Sequence, residues 1–242
     1  MTEIEFRSDV TVELVRSSAQ DADVLFAARV STQGEQTLEG AMQETAEVEK
    51  RDKGLINYLM RDRHGSPFEH NSMTFYVQAP IFVFREFMRH RIASYNEESG
   101  RYRELRPVFY VPGPDRKLIQ VGKPGAYDFE DGTVEQTALV TQETMAVTRT
   151  AYESYKRMLE AGVAREVARI VLPVNIYSSM YVTMNSRSLM NFLSLRTKRE
   201  GTHFPSFPQR EIEMCAEKME DAWAKLMPLS YESFNENGRV AP

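Results

Sequence analysis

The sequence predicts a single α+β domain over residues 1–242. Three observations lead there. Short segments alternate apolar and polar residues as half-buried strands do, and longer ones carry apolar residues at helical spacing. The chain contains no internal repeat. Its most linker-like stretch, residues 114–132, is too short to require a domain boundary.

The elements follow in order. Thr11-Val12-Glu13-Leu14-Val15 alternates and reads as a first strand, and Asp21 is placed as the N-cap of the next helix. Residues 44–61 predict a helix with Val48, Leu55, Ile56, Leu59 and Met60 on its apolar side. After Gly65-Ser66-Pro67 comes a strand over 72–77, and Pro80 suits the first turn of another helix. There Ile81, Phe84, Phe87 and Met88 form the inward stripe, while Arg85 and Arg89 share the opposite side. A short strand over 108–111 precedes residues 114–132, rich in Gly, Pro and Asp and read as a loop. A long helix over 133–161 ends at Gly162, and a short one over 163–172 stops at Pro173. A strand over 176–184 and a helix from Ser186 to about Lys198 come next. The last helix, over 209–227, turns Ile212, Cys215, Ala216, Met219, Trp223 and Leu226 inward.

Composition narrows the function classes. Hydrophobic content of 42% and charged content of 27% are those of an ordinary globular protein. A formal net charge of −5 argues against a general nucleic-acid binder, and no RRM or KH signature is present. No run of 18 apolar residues exists, so no membrane span is expected, and the first residues do not resemble a secretion signal. The single cysteine, Cys215, can form neither an internal disulfide nor a zinc thiolate cluster, which fits a reducing cytoplasm. It falls on the apolar stripe of its helix and reads as a core residue.

Residues 89–99, Arg89-His90-Arg91-Ile92-Ala93-Ser94-Tyr95-Asn96-Glu97-Glu98-Ser99, say the most. On an ideal helix Arg89, His90 and Arg91 would sweep ~200°, too wide for one solvated stripe. From Arg85 to Arg106 the arginines at 85, 89, 91, 101, 103 and 106 face glutamates at 86, 97, 98 and 104. Guanidinium forks match phosphate and carboxylate oxygens; surface ion pairs around a helix C-terminus account for the same pattern. A second cluster runs from Asn185 to Arg196, where Arg187 and Asn191 lie ~40° apart on a helix and Arg196 points ~140° away from Asn191. Such a helix could touch two different groups, or the same site from two subunits, or be simply a capped amphipathic helix with an exposed arginine. Arg165 and Arg169, four apart, are offset locally by Glu166 or turned toward a ligand. His64 and His70 flank Glu69, but helical metal-ligand spacing is missing, so no metal is expected. No G-x-G-x-x-G follows a strand, no P-loop motif occurs, and no activated nucleophile is apparent.

Taken together these segments resemble the flavin-dependent thymidylate synthases, whose diagnostic pattern is R-H-R, seven residues, then S. Here that pattern is Arg89-His90-Arg91 and Ser99, continuing into Gly100-Arg101-Tyr102. Ordered satellites are Ala27-Ala28-Arg29-Val30-Ser31, His64 to His70, Ala79 to Val83, Arg165 to Pro173 and Asn185 to Arg196. The resemblance spans roughly residues 12–225.

The resemblance implies a central, twisted, mainly antiparallel sheet flanked by helices, and conversion of dUMP to dTMP. Methylenetetrahydrofolate would donate the carbon, FAD would carry reducing equivalents from NADPH, and no cysteine attack would be needed. Arg196 resembles the residue that stabilises negative charge on the uracil ring. Glu86, Phe87, Met88, Arg89, Glu97, Glu98, Ser99, Gly100, Arg101 and Arg169 would join it at dUMP. The flavin would be held by Ser31, Ser66, Glu69, Arg89, His90, Arg91, Glu97, Asn185, Ser186, Arg187 and Asn191, with His64 on the folate side. The resemblance also implies a homotetramer with sites shared between subunits, while charge and hydropathy predict no nucleic-acid or membrane partner.

Two positions depart from the family pattern. Glu86 stands where relatives often carry Gln, and residues 199–210 form a longer, proline-rich loop beyond Arg196. A non-catalytic nucleotide- and flavin-binding protein of the same fold would keep the phosphate arginines and lose Arg196 or the flavin residues; this chain keeps both groups.

Overall fold

The computed structural model describes residues 3–38 and 46–242. Strands are β1 (Glu5–Arg7), β2 (Thr11–Ser17), β3 (Met73–Pro80), β4 (Ser94–Glu97), β5 (Val108–Tyr110), β6 (Ile119–Lys123), β7 (Ala126–Glu130) and β8 (Tyr177–Met184). Helices are α1 (Asp21–Gln33), α2 (Ala46–Arg61), α3 (Ile81–Phe87), α4 (Val134–Glu160), α5 (Arg165–Ala168), α6 (Ser186–Arg196), α7 (Arg210–Leu226) and α8 (Pro228–Glu236). A four-stranded sheet has the order β2-β3-β8-β4, β1 pairs in parallel with β5, and β6 with β7 forms an antiparallel hairpin. The expected α+β class with an antiparallel sheet is borne out.

The chain forms two compact units. The first comprises Met1–Thr11, Val77–Arg89 and Asn96–Met180. Its core gathers Leu105, Phe109, Tyr152, Tyr155, Ala168 and Ile176, with Phe6 and Ile81 packed against it. Two buried tyrosines of α4 serve one residue: Tyr152 donates its hydroxyl to Leu105 O at 3.3 Å, and Tyr155 Oη accepts from Leu105 N at 3.3 Å. Hydrogen-bonding both backbone groups of Leu105 fixes the chain just after Ser99-Gly100-Arg101.

The second unit comprises Val12–Tyr76, His90–Tyr95 and Tyr181–Pro242. Here α7 turns Ile212, Cys215, Ala216, Met219 and Trp223 fully inward, as its spacing predicts. α6 begins under an N-cap from Asn185, whose Oδ1 accepts from Ser188 N at 2.9 Å. Beside α6 packs the 3-10 turn Ser66–Glu69.

Several expectations need correction. Residues 119–130, within the expected loop, form the β6–β7 hairpin, turned by Gly122 and Gly125 at φ +88° and +83°. α8 follows α7 after Met227 and was not expected; Pro228 at its first position starts it. Asp21 is the first residue of α1, not its N-cap, which is Gln20. The Asp21 carboxylate instead accepts from Leu229 N at 2.8 Å and Ser230 N at 2.9 Å, capping α8. Pro80 is the N-cap of α3, one position before the first turn. Met88 is 47% exposed rather than inward, because α3 ends at Phe87. Arg89 N turns to Glu86 O at 3.3 Å, so residues 89–91 are not helical. The first two residues of the expected 44–61 helix, and the side chain of Val48, lie outside the described residues.

Candidate nucleotide and flavin sites

In the first unit, Glu86, Met88, Arg89, Glu97, Glu98, Gly100 and Arg169 line two cavities that share Ile81 and Glu97, whereas Phe87, Ser99 and Arg101 line neither. The larger, about 620 Å³, is lined by Ile81, Phe84, Arg85, Glu86, Met88, Arg89 and Glu97. The smaller, about 110 Å³, is bounded by Glu97, Glu98, Gly100, Leu105, Arg169 and Ser178, among others. Guanidinium groups and carboxylates thus line both cavities. That is a donor and acceptor set for a phosphorylated, hydrogen-bonding ligand.

Local structure explains the placement. Glu98 N donates to Ser179 O at 2.8 Å, carrying the chain off β4 beside β8. Ser99 then starts a tight turn: its carbonyl accepts from Tyr102 N at 3.1 Å, and its Oγ from Arg101 N at 3.3 Å. Gly100 is buried, and a Cβ there would meet Leu105 Cδ1 at 3.1 Å and Arg169 Cδ at 3.3 Å. The missing side chain therefore lets Arg169 lie against the turn.

The carboxylates differ. Glu98 is held by Arg103 at 3.1 Å and by the Ser179 hydroxyl at 3.0 Å. Burial raises the pKa of Glu97 above the usual carboxylate value, opposed by the Ser178 hydroxyl and by Arg169, with Glu98 adding to the rise. Phe87 is fully buried, so its side chain belongs to the core. Arg101 is exposed and paired with Glu166 at 2.8 Å. Ser178, Ser179 and Arg85 were not among the predicted site residues. The available signal was Ser178-Ser179, two adjacent serines inside a β-strand.

The second unit holds most of the predicted flavin residues and Arg196. Arg196 donates from Nε to His90 Nε2 at 3.0 Å. The imidazole stands edge-on to Phe192 with ring centroids 4.9 Å apart. Burial foremost, and then the Arg196 charge, lower the His90 pKa to about 4, so the ring is neutral at pH 7. The Tyr95 hydroxyl donates to His90 O at 2.8 Å, fixing a backbone that no helix holds; burial pushes this phenol up to about 12.

Arg187 donates from Nε to Pro242 O at 2.6 Å and pairs with Glu69. Asn191 donates to Arg187 O at 3.1 Å, within α6. Ser186 is fully buried and bonded to Asn71 Oδ1 at 2.9 Å, so its hydroxyl is committed to the fold. Ser66 and Arg91 are exposed, and exposed His64 leans on Tyr58 with centroids 5.5 Å apart. Ser31 is exposed and donates to Ala28 O at 2.7 Å.

The loop beyond Arg196 is anchored. Thr197 is buried; its hydroxyl donates to Leu193 O at 2.7 Å and accepts from Arg239 Nη2 at 3.0 Å. Lys198 N donates to Glu213 at 2.8 Å. Burial pushes the Cys215 thiol up to about 12, which denies it a thiolate role. Among the described residues, no three His, Cys, Asp or Glu side chains are placed to hold a metal ion, and no helix is long and apolar enough to cross a membrane.

Comparison with known proteins identifies the family. Residues 13–229 match the family described as thymidylate synthase complementing protein. A flavin-dependent thymidylate synthase of Streptomyces coelicolor is 68% identical over 240 residues, covering 99% of this chain and 96% of the relative. One from Thermotoga neapolitana is 42% identical over 223 residues, covering 92% and 89%. The crystal structure of the UMP/dUMP methylase PolB from Streptomyces cacaoi, bound with 5-Br dUMP, superposes with a TM-score of 0.92 at 55% identity, covering 99% of this chain and all of that one. The chain therefore belongs to the flavin-dependent thymidylate synthases, a family of methyltransferase enzymes.

Proposed function

We propose that this protein methylates dUMP to dTMP, with methylenetetrahydrofolate as carbon donor and NADPH as reductant acting through FAD. The observation that carries this reading is the pair of cavities sharing Glu97, lined by Arg85, Arg89 and Arg169. A relative of 55% identity and matching fold carries a brominated dUMP.

In this reading Arg89 and Arg169 meet the nucleotide's charge, and the Ser99 turn offers backbone and hydroxyl groups to it. Glu86 lines the same cavity as Arg85 and Arg89, which offset its charge. Arg196 stabilises negative charge on the uracil ring, easing loss of its N3 proton by charge pairing. A buried, protonated Cys215 leaves the reaction without a thiol nucleophile.

The second unit's donors fit a flavin dinucleotide. Arg91 and Arg187 suit a pyrophosphate; Asn185, Asn191, Ser66 and Glu69 suit ribose and base edges; His64 lies on the folate side. Bound there, the flavin supplies two-electron redox chemistry. Holding and orienting the ligands falls to the protein.

Residues 1–242 act as one domain, in a homotetramer whose subunits share sites. Exposed Val134, Leu139 and Val147 on α4 and Ile170 nearby support self-association. The reading also places the enzyme in the cytoplasm. Incubating the purified protein with FAD, NADPH, methylenetetrahydrofolate and dUMP tests it: dTMP should accumulate, and its absence from flavin-loaded protein would refute the assignment.

A further inference from the structure

We propose that His90 is a positioning residue for Arg196: its imidazole, accepting the Nε–H of Arg196, sets the plane in which the guanidinium meets the pyrimidine. This rests on the reading that Arg196 faces the uracil ring.

The contact is built from both sides. On one, Tyr95 holds the His90 carbonyl at 2.8 Å, and the edge of the ring meets Phe192, a buried residue of α6. On the other, Thr197, directly after Arg196, is tied to Leu193 O and to Arg239. Between them lies the 3.0 Å hydrogen bond from Nε to Nε2. Neither partner can turn without disturbing an anchored neighbour.

The chemistry suits an imidazole. A carboxylate in this place would orient the guanidinium equally well but would cancel charge that a developing uracil anion needs. A neutral ring accepts the same hydrogen bond and adds no charge. Acceptance at Nε2 puts the ring proton on Nδ1, where it remains a donor, so holding Arg196 does not conflict with a flavin contact by the same residue.

A double-mutant cycle tests this. His90→Leu removes the acceptor, His90→Gln keeps an amide oxygen able to accept, and Arg196→Ala removes the donor. With each protein loaded to equal flavin occupancy, His90→Leu should lower kcat by about 10- to 100-fold, the loss of one charge-assisted hydrogen bond. Its KM for dUMP should change much less, and His90→Gln should recover most of the loss. In the Arg196→Ala background, His90→Leu should cost nothing further. Additive losses would overturn the inference, because His90 would then act independently of Arg196. An Arg196→Ala protein with normal turnover would overturn the reading of Arg196 itself, and this inference with it. Nitrogen-15 NMR of the unsubstituted protein reads the contact without a variant: a proton on Nδ1 is expected, and one on Nε2 contradicts it.

Discussion

A methyl group on Gly65 would lie 2.5 Å from Nε of Arg187 and 2.6 Å from Pro242 O. The backbone at Gly65 is thus the floor on which this guanidinium rests, and a side chain there must push it aside. Gly65→Ala keeps ordinary backbone dihedrals, but its methyl must displace both the Arg187 guanidinium and the Pro242 carbonyl, so its folding is checked by circular dichroism. It should bind FAD about tenfold more weakly, equivalent to about 1.4 kcal/mol. Fluorescence titration of the apoprotein measures this; unchanged affinity would remove Arg187 from the flavin site.

Arg239 and Glu220 form an ion pair at 2.6 Å with only 3% of each side chain exposed. Glu220 also meets Arg199 at 3.1 Å, and Arg239 reaches the Thr197 hydroxyl. Removing one partner strands the other charge in the interior, so Glu220→Gln should cost about 3–5 kcal/mol in urea unfolding. Because Thr197 follows Arg196, turnover should fall in the same variant below its unfolding midpoint.

The His90 pKa lies at about 4 against an ordinary 6.5, so the folded state holds this ring neutral. Above pH 6.5 both folded and unfolded chains carry the neutral ring, and the group contributes nothing to pH dependence. Between about 6.5 and 4 the unfolded chain takes a proton that the folded one refuses, so stability falls as the solution is acidified. His90→Gln lacks this component. Its unfolding free energy should decline less steeply than that of the unsubstituted protein over that window, and parallel curves would contradict the assignment.

Cys215 and Arg196 should behave oppositely. Cys215→Ala empties a small volume in the α7 core and should cost about 1 kcal/mol of stability while leaving turnover largely intact. Arg196→Ala should lower kcat by about 10²–10³-fold with little change in stability. The reverse pattern would restore a thiol mechanism.

Much of this was legible in the sequence. The periodicity of α7, the cap of α6 and the ending of α4 before Gly162 are local features with local causes. The R-H-R-x7-S pattern points to the family that the comparisons show, although α3 ends at Phe87, before the pattern begins. The hairpin over 119–130 is hard to read because its strands are short and mostly exposed, with only Ile119 and Val121, and Tyr127 and Phe129, alternating amid Gly, Pro and Asp. Asp21 reads locally as the cap of its own helix, because nothing nearby reveals that it caps α8, 208 residues away. The His90–Arg196 contact joins residues 106 apart, a pairing that the fold creates and no spacing announces.

The proposed reaction is flavin-mediated methylation of dUMP. An anaerobic absorbance titration of the FAD-loaded protein tests it most directly. NADPH should bleach the flavin band, and dUMP with methylenetetrahydrofolate should restore it with one dTMP formed per flavin reoxidised. A flavin that stays bleached in the presence of both substrates, or a protein that cannot be loaded with FAD, would contradict it.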